Sequence, residues 1–258
     1  MGFQFESFKR FPLRHAMSWR RPELPSEGDI AYARDTNYDH IRENRARFLR
    51  EAGFDDAALT LGRQVHGAGV SVVTAADRGR GQPPDFDAIP NSDGLITTCP
   101  DVALGTIVAD CAPILLYDPE HHALGLVHAG WRGTVAGIAA RAVELMAQEF
   151  GSDPAALHAG IGPSIGACCY EVGEEVIEAW ASAGIRGWEA ARVCREPRPH
   201  FDLWTANRLA LQAASVPETH IETAGECTRC NAERYFSHRA AMAGERPRGR
   251  MIMVAQLD

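Results

Sequence analysis

The sequence has no long hydrophobic run and no concentration of positive charge. Nowhere do about 18 apolar residues follow one another, so no membrane-spanning helix is expected. The N-terminal segment MGFQFESFKRFPLRH lacks the apolar core of a signal peptide. The net charge is -8 and the 26 lysines and arginines are scattered, whereas binding to nucleic acid requires a basic face. We therefore expect a cytoplasmic protein that binds neither membranes nor nucleic acids.

The seven cysteines do not form the even, regularly spaced set that a disulfide framework requires. Their number is odd, and Cys168 and Cys169 are adjacent, which favours free thiols in a reducing compartment. The simplest interpretation of this adjacent pair is that both are packing residues.

Cys227 and Cys230 form a single C-x-x-C pair with no second pair of the same spacing. A structural zinc site needs four ligands, and Cys194 with His200 or His238 would complete it only if the fold brought them together. A redox motif would be expected beside the start of a βαβ unit, which the surrounding sequence does not suggest. Neither role is expected for this pair.

The apolar pattern predicts one mixed α/β or α+β domain. A chain of 258 residues with 45% hydrophobic residues can build a single large core. A helix is expected from Tyr38 to Phe54, after a proline-rich, charged loop over 21–36. Strands are expected at 69–74, 94–98, 102–109, 113–117, 123–128, 157–161, 219–223 and 250–257, and further helices at 134–150, 173–183 and 202–214.

Three potential metal ligands stand where a predicted strand meets a turn: His66 in RQVHG, Cys111 in VADCAP and His128 in LVHAG. Two imidazoles and a thiolate are typical of a three-ligand zinc site that leaves a fourth position open for water or substrate. Each residue alone could instead be an ordinary buried or loop residue. Asp110 precedes Cys111 and, because strand neighbours face opposite sides, we expect it to orient a nearby loop and not to bind the metal.

The segment HAGWRGT leads from a predicted strand into a predicted helix. The amides exposed at Gly130 and Gly133 and the Arg132 guanidinium could converge on one anion there. The alternative is that Arg132 pairs with a surface carboxylate. A second junction, GIGPSIGACCYEV, contains only G-x-G, which disfavours a nucleotide cofactor and predicts a loop lining a pocket. Arg239 and Arg250 flank the last strand, where either could reach an acidic substrate or lie exposed.

Several segments together resemble the YfiH-like family, also labelled polyphenol oxidase or laccase-domain proteins and purine nucleoside phosphorylases. They are RQVHG, SDGLIT, ADCAPILLYDP, GLVHAGWRGTVAGI, IGPSIGACCYEVGEEV, FDLWTANRLAL, YFSHR and GRM, in the family's order from about residue 61 to the end. Residues 1–60 diverge, with SWRRPELPSEGDIAYARDTNYDH where the family usually has Ser-Thr-Arg and a glycine pair. Arg239 is followed by Ala240 where the family has a second arginine.

The resemblance implies one four-layer α/β/β/α sandwich over residues 1–258, as a monomer or homodimer. It implies that His66, Cys111 and His128 hold a catalytic zinc, which copper could replace. The implied reactions are phosphorolysis of purine nucleosides with phosphate and deamination of adenosine to inosine. Contacts with substrate or phosphate are expected at Arg132, Gly130, Gly133, Arg63, Arg239 and Arg20.

Three alternatives use the same residues differently. A metal-free cysteine hydrolase would use Cys111 as nucleophile and His128 as base to cleave an amide, for example in editing peptidoglycan precursors. A copper-dependent phenol oxidase would match the laccase label, but the ten histidines contain no H-x-H pair of the kind that multicopper oxidases use. A non-enzymatic, zinc-stabilised binding protein is the third.

Overall fold

The computed structural model describes residues 2–32, 36–83 and 86–258. None of the helices in these ranges combines the length and the apolar character that a membrane span requires. The strands are β1 (Leu13–Met17), β2 (Leu59–Leu61), β3 (Val70–Val72), β4 (Gly94–Thr97), β5 (Ala103–Val108), β6 (Ala112–Asp118), β7 (Ala123–Ala129), β8 (His158–Ile161), β9 (Arg192–Val193), β10 (His200–Phe201), β11 (Ile221–Thr223) and β12 (Met251–Leu257). The α-helices are α1 (Tyr38–Glu51), α2 (Trp131–Val135), α3 (Ile138–Phe150), α4 (Glu174–Ser182), α5 (Leu203–Ala213) and α6 (His238–Met242).

Two sheets form the centre of the molecule. The first has the strand order β1-β12-β5-β2, in which β12 runs antiparallel to both neighbours and β2 runs parallel to β5. The second has the order β11-β8-β6-β7-β4-β3, in which β6 and β7 form an antiparallel pair. The predicted mixed α/β class is confirmed. The number of layers stays a prediction.

Three hydrophobic clusters hold these elements together. Side chains of the two sheets, such as Leu104 and Leu126, meet in one cluster. The outer face of the six-stranded sheet packs against α3, α4 and α5, with Trp180 fully buried there. The outer face of the four-stranded sheet packs against α1 through Leu49 and Ile252. Both faces of the central strands are therefore buried, which explains their nearly continuous apolar sequences.

Strand periodicity places His128 between the two sheets. Along β7, Leu124 and Leu126 belong to the cluster between the sheets, whereas Ala123 and Val127 belong to the helix-covered cluster. Because successive side chains point to opposite faces, His128 shares the face of Leu126. It is the last residue but one of β7, so its ring lies where the gap between the sheets opens.

Several element boundaries differ from the sequence prediction for local reasons. The helix expected at 134–150 is two helices, α2 and α3, because Gly137 has φ 79°, a left-handed conformation that glycine adopts without steric cost. The helix expected to reach Phe54 ends at Glu51. The strands β1 and β2 were missed because each is short and lacks a regular alternation. Residues 33–35 of the expected loop lie outside the described residues.

A buried histidine, His15 in β1, makes the fold sensitive to acid. Its Nε2 accepts a hydrogen bond from the backbone N–H of Phe5 at 2.9 Å, and its ring stacks on the ring of Phe5 and contacts the tilted ring of Phe8. Burial lowers the pKa of His15 to about 4. The folded state therefore contains the neutral imidazole of His15. The contribution of this side chain to stability is fully present above the ordinary histidine pKa near 6.5.

We predict that His15→Asn removes part of the acid sensitivity of the fold. Between pH 7.5 and pH 4.5 the wild type should lose about 2 to 3 kcal/mol more unfolding free energy than the variant, because only an unfolded histidine takes up the proton in this range. Urea denaturation at both pH values measures the difference. The exposed His238→Asn is the control and should follow the wild type; equal losses in all three proteins would refute the assignment.

Candidate metal centre

Three side chains from distant parts of the sequence meet at the end of the gap between the sheets. One ligand atom from each of His66, Cys111 and His128 lies within 4.8 Å of the other two. The centroids of the two imidazole rings are 4.8 Å apart and the rings are nearly perpendicular, at 83°. His66 belongs to the loop after β2, Cys111 directly precedes β6 and His128 lies in β7. The structure therefore brings together the residues that were singled out as ligands.

A fully buried carboxylate, that of Asp93, organises this group. It accepts hydrogen bonds from the backbone N–H groups of Val65, His66 and Gly67 at 2.9, 2.9 and 3.0 Å. It also bonds Nδ1 of His128 at 2.8 Å, which leaves Nε2 of His128 free to face a metal. A carboxylate paired with a ligand histidine fixes the ring's orientation and raises its basicity. Asp93 thus positions two of the three candidate ligands.

Sequence reasoning did not identify Asp93 as a functional residue. It directly precedes β4 in SDGLIT, where an aspartate is an ordinary turn residue. Its importance depends on contacts with residues 26 to 35 positions away. One of these, His66, has φ 60°, a conformation that costs a non-glycine residue free energy and that the bonds to Asp93 hold in place.

Hydrogen bonds within the group shift the pKa values of its members. Burial raises the pKa of the Cys111 thiol, but hydrogen bonds with His128 and His66 outweigh burial and lower the pKa to about 7. Burial lowers the pKa of His128, but its bonds to Asp93 and Cys111 raise the pKa to about 9. The Cys111 thiol therefore ionises readily, as a thiolate ligand or nucleophile must.

Close contacts explain the glycines that follow β7. A Cβ atom at Gly130 would lie 2.9 Å from the Cys111 sulfur, and one at Gly133 would lie 2.8 Å from the carbonyl oxygen of Gly67. Neither position has room for a side chain. The helix α2 begins at Trp131, three residues earlier than expected. Gly133 is buried and contacts the His66 loop, whereas Gly130 lines the cleft described next.

A cleft of about 710 Å³ opens beside the three ligand residues. On its wall, the exposed Arg132 guanidinium lies over the Trp131 ring, 4.4 Å from the ring centroid. The Arg239 guanidinium lies 5.2 Å from the centroid of the Tyr170 ring. Within the described ranges no carboxylate forms an ion pair with either arginine, so both charges are available to an anion. The cleft is also lined by Gln64, Asp110, Ile165, Leu203, His238 and Arg250.

Asp110 orients the segment that carries Arg239. Its carboxylate accepts a hydrogen bond from the Thr228 hydroxyl at 2.6 Å and another from the backbone N–H of Arg239 at 2.7 Å. Its own backbone has φ 80°, so it lies in a turn, where the argument from strand alternation does not apply. Asp110 therefore connects the turn before Cys111 with the segment from 228 to 239.

Two arginines that were expected to contact substrate do not line the cleft. The Arg20 side chain is only 9% exposed and pairs with Glu27 at 2.6 Å, while its Nη1 donates to the carbonyl of Ala232 at 2.8 Å. Arg63 is exposed, but its neighbour Gln64 is the residue whose side chain reaches the cleft wall. The Gln64 side chain is held at the cleft wall by hydrogen bonds with the backbone of Ile107 at 2.8 and 2.9 Å.

The C-x-x-C pair has partners that the sequence did not indicate. The sulfur atoms of Cys168, Cys169, Cys227 and Cys230 all lie within 4.8 Å of one another. The residues that had been considered as completing the pair are not among them. Cys168 is exposed and Cys169 half-buried, and both sulfurs lie 3.4 Å from the Cys230 sulfur, so packing alone does not describe the place of these two residues.

The donor set of the first group fits a catalytic zinc ion. Two imidazoles and one thiolate are among the ligand sets that bind zinc with three protein ligands and an open fourth position. The hydrogen bond that Nδ1 of His128 donates to Asp93 supplies the outer contact that such sites use to orient a ligand. The same donors also accept copper, which stands above zinc in the affinity order for divalent metals.

The fold and this site define a class of α/β proteins with a two-histidine, one-cysteine centre between two sheets. Residues 23–258 match the model of the family described as multi-copper polyphenol oxidoreductase laccase. The chain therefore belongs to that family, which is the YfiH-like family indicated by its motifs.

Individual relatives differ in the activity that their names state. The chain is 39% identical over 202 residues to the purine nucleoside phosphorylase YlmD of Geobacillus stearothermophilus, covering 77% of this chain and 73% of the relative. It is 34% identical over 223 residues to the adenosine deaminase RL5 of an unknown prokaryotic organism, covering 83% and 84%. The crystal structure of the hypothetical protein YfiH of Bacillus licheniformis superposes with a TM-score of 0.91 at 29% identity, covering 98% of this chain and 95% of that one.

We predict that Asp93→Asn weakens zinc binding by about 10- to 100-fold, because the orientation of His128 and of the His66 loop depends on the carboxylate. Competition with a chromophoric chelator at fixed pH measures the apparent affinity. Asp101→Asn, which changes an exposed aspartate outside the site, is the matched control. Unchanged affinity in Asp93→Asn would mean that this carboxylate does not organise a metal site.

Proposed function

We propose that the protein is a zinc-dependent purine nucleoside phosphorylase that also deaminates adenosine to inosine. The observation that carries the proposal is that a three-ligand group shares one cleft with two arginines that form no ion pair with any described residue. The relatives named for these two activities support the substrate class. The cleft volume of about 710 Å³ is within the range of small-molecule sites.

Phosphorolysis requires that phosphate be held against the anomeric carbon of the nucleoside while the base departs. Arg132 and Arg239 supply two positive charges on the cleft wall, and guanidinium groups suit phosphate because they donate parallel hydrogen bonds. Holding both reactants in one cleft removes much of the entropic cost of their encounter. In this proposal Arg132 binds phosphate and Arg239 closes the other side of the anion site.

Proton transfer in the cleft must come from a group other than His128, because Asp93 occupies its Nδ1 and its Nε2 faces the candidate metal position. Tyr170 lines the same cleft, and burial raises the pKa of its hydroxyl. The hydroxyl therefore keeps its proton and can donate a hydrogen bond to a departing base or amino group. A zinc ion held by His66, Cys111 and His128 would activate water for deamination.

A metal-free cysteine hydrolase remains the principal rival, and one observation favours it. Cys111, His128 and Asp93 form a hydrogen-bonded series of the nucleophile, base and orienting carboxylate kind. A hydrolase of this type has no use for a second imidazole beside the thiol, whereas a metal site does. The placement of His66 therefore supports the metal enzyme.

The copper-dependent phenol oxidase and the non-catalytic binding protein are weaker candidates. The three-residue group provides ligands for one metal ion only, and multicopper oxidases gather four coppers. Copper can replace zinc at this group, because copper stands above zinc in the affinity order for divalent metals. An oxidase reaction would then result from the replacement of zinc by copper. A protein that only binds zinc would not need two arginines on the cleft wall.

Incubation with adenosine, with and without phosphate, tests the proposed function. Protein of measured zinc content should release adenine and ribose 1-phosphate only with phosphate, and inosine in both conditions. Chelation should abolish both reactions, and added zinc should restore them. Absence of both products would contradict the proposal. Activity that persists without metal and is lost on alkylation of Cys111 would establish the hydrolase instead.

We predict that Arg132→Ala raises the KM for phosphate by about tenfold or more, because a charge-assisted hydrogen bond of about 1.5 kcal/mol or more is lost. Zinc content and deamination should change little, since neither requires phosphate. Arg141→Ala is the control, because Arg141 is exposed on α3 and pairs with Glu144. An unchanged KM for phosphate in Arg132→Ala would remove this residue from the anion site.

A further inference from the structure

We propose that Cys168, Cys169, Cys227 and Cys230 form a second metal site, which binds one zinc ion through four thiolates. This site is separate from the two-histidine, one-cysteine centre and shares no residue with it. The proposal does not depend on the reaction proposed above.

The spacing of the sulfur atoms fits a single ion. The Cys230 sulfur lies 3.4 Å from the sulfurs of both Cys168 and Cys169, and all four sulfurs lie within 4.8 Å of one another. Zinc–sulfur bonds of about 2.3 Å in a tetrahedron separate the sulfurs by about 3.8 Å. A cluster of several irons would need wider spacing, because irons and sulfides would lie between the ligands.

The two chain segments that carry the four cysteines pair directly through a parallel bridge between Ser164 and Cys227. In this bridge the backbone N–H of Thr228 donates to the carbonyl of Ser164 at 3.1 Å, and the backbone N–H of Ser164 donates to the carbonyl of Glu226 at 3.2 Å. The four ligands are therefore presented by two segments that already contact each other.

Local turns direct adjacent cysteines to one point. Residues 167–169 form a turn in which the backbone N–H of Cys169 donates to the carbonyl of Gly166 at 2.9 Å. A turn, unlike a strand, lets neighbouring side chains face the same side, which is why Cys168 and Cys169 can serve together. Cys168 and Cys230 are exposed, which gives an ion a route of entry.

A metal at these four cysteines would stabilise the wall of the cleft. The turn that supplies Cys168 and Cys169 lies between two cleft residues, Ile165 and Tyr170. Between Cys227 and Cys230, Thr228 donates a hydrogen bond to Asp110, the neighbour of Cys111. Four protein ligands leave no open position, so the ion would be structural and would crosslink the two segments.

Metal content of the purified protein tests the proposal. Protein prepared under reducing conditions with zinc and then desalted should contain two zinc ions per chain by mass spectrometry. Cys230→Ser and Cys111→Ser should each contain one, and Cys194→Ser, which changes an exposed cysteine outside the group, should keep two. A zinc content in Cys230→Ser equal to that of the wild type would overturn the proposal. A single zinc in the wild type that Cys111→Ser keeps and Cys230→Ser loses would instead support the four-cysteine site and contradict metal binding at the two-histidine, one-cysteine group.

Cobalt substitution gives a second readout that does not depend on the stability of the Cys230→Ser variant. In Cys111→Ser, cobalt should produce the strong sulfur-to-metal charge-transfer absorption of a tetrahedral four-thiolate site. Absence of that absorption would refute the site. Mass spectrometry of the protein prepared under reducing conditions could also find a disulfide between Cys230 and Cys168 or Cys169. Such a disulfide would refute the metal site, because the bonded sulfurs could not act as thiolate ligands.

Discussion

The arrangement of the candidate active site depends on one buried carboxylate. Asp93 bonds the backbone of the His66 loop and Nδ1 of His128 at the same time, so a loop and a strand are fixed relative to each other by a single group. A buried charge is stable only when its hydrogen bonds are satisfied, and here four donors satisfy it. The convergence of two imidazoles on Cys111 is a direct consequence, because without these bonds the His66 backbone would relax from its left-handed conformation.

Part of the candidate site and most of the fold could be predicted from the sequence. The ligand types at strand ends, His66, Cys111 and His128, were recognisable because imidazole and thiolate chemistry is visible in single residues. The central strands and long helices were predictable from apolar periodicity. Asp93 was not, since its role consists of contacts across the fold. The pairing of Cys168 with Cys230 was not predictable either, because only a turn and a bridge between distant segments bring these sulfurs together.

Two metal sites would have different functions at the cleft: one metal ion would take part in the reaction, and the other would stabilise the cleft wall. A metal ion held by the two-histidine, one-cysteine group would keep one coordination position open, whereas a metal ion held by the four cysteines would have none. Asp110 and Thr228 connect the two groups through one hydrogen bond, so the cleft wall that carries Arg239 is attached to both. This arrangement would stabilise a cleft that is assembled largely from loops, which alone would hold their side chains less firmly.

We expect His66, Cys111 and His128 to bind a metal between the sheets. The most direct measurement is X-ray diffraction from crystals of the protein purified without added metal, recorded above and below the zinc absorption edge. We predict an anomalous peak within about 2.0 to 2.3 Å of the Cys111 sulfur and of one nitrogen of each histidine. A structure with no peak there, in which Cys111 and His128 are directly hydrogen-bonded, would contradict it.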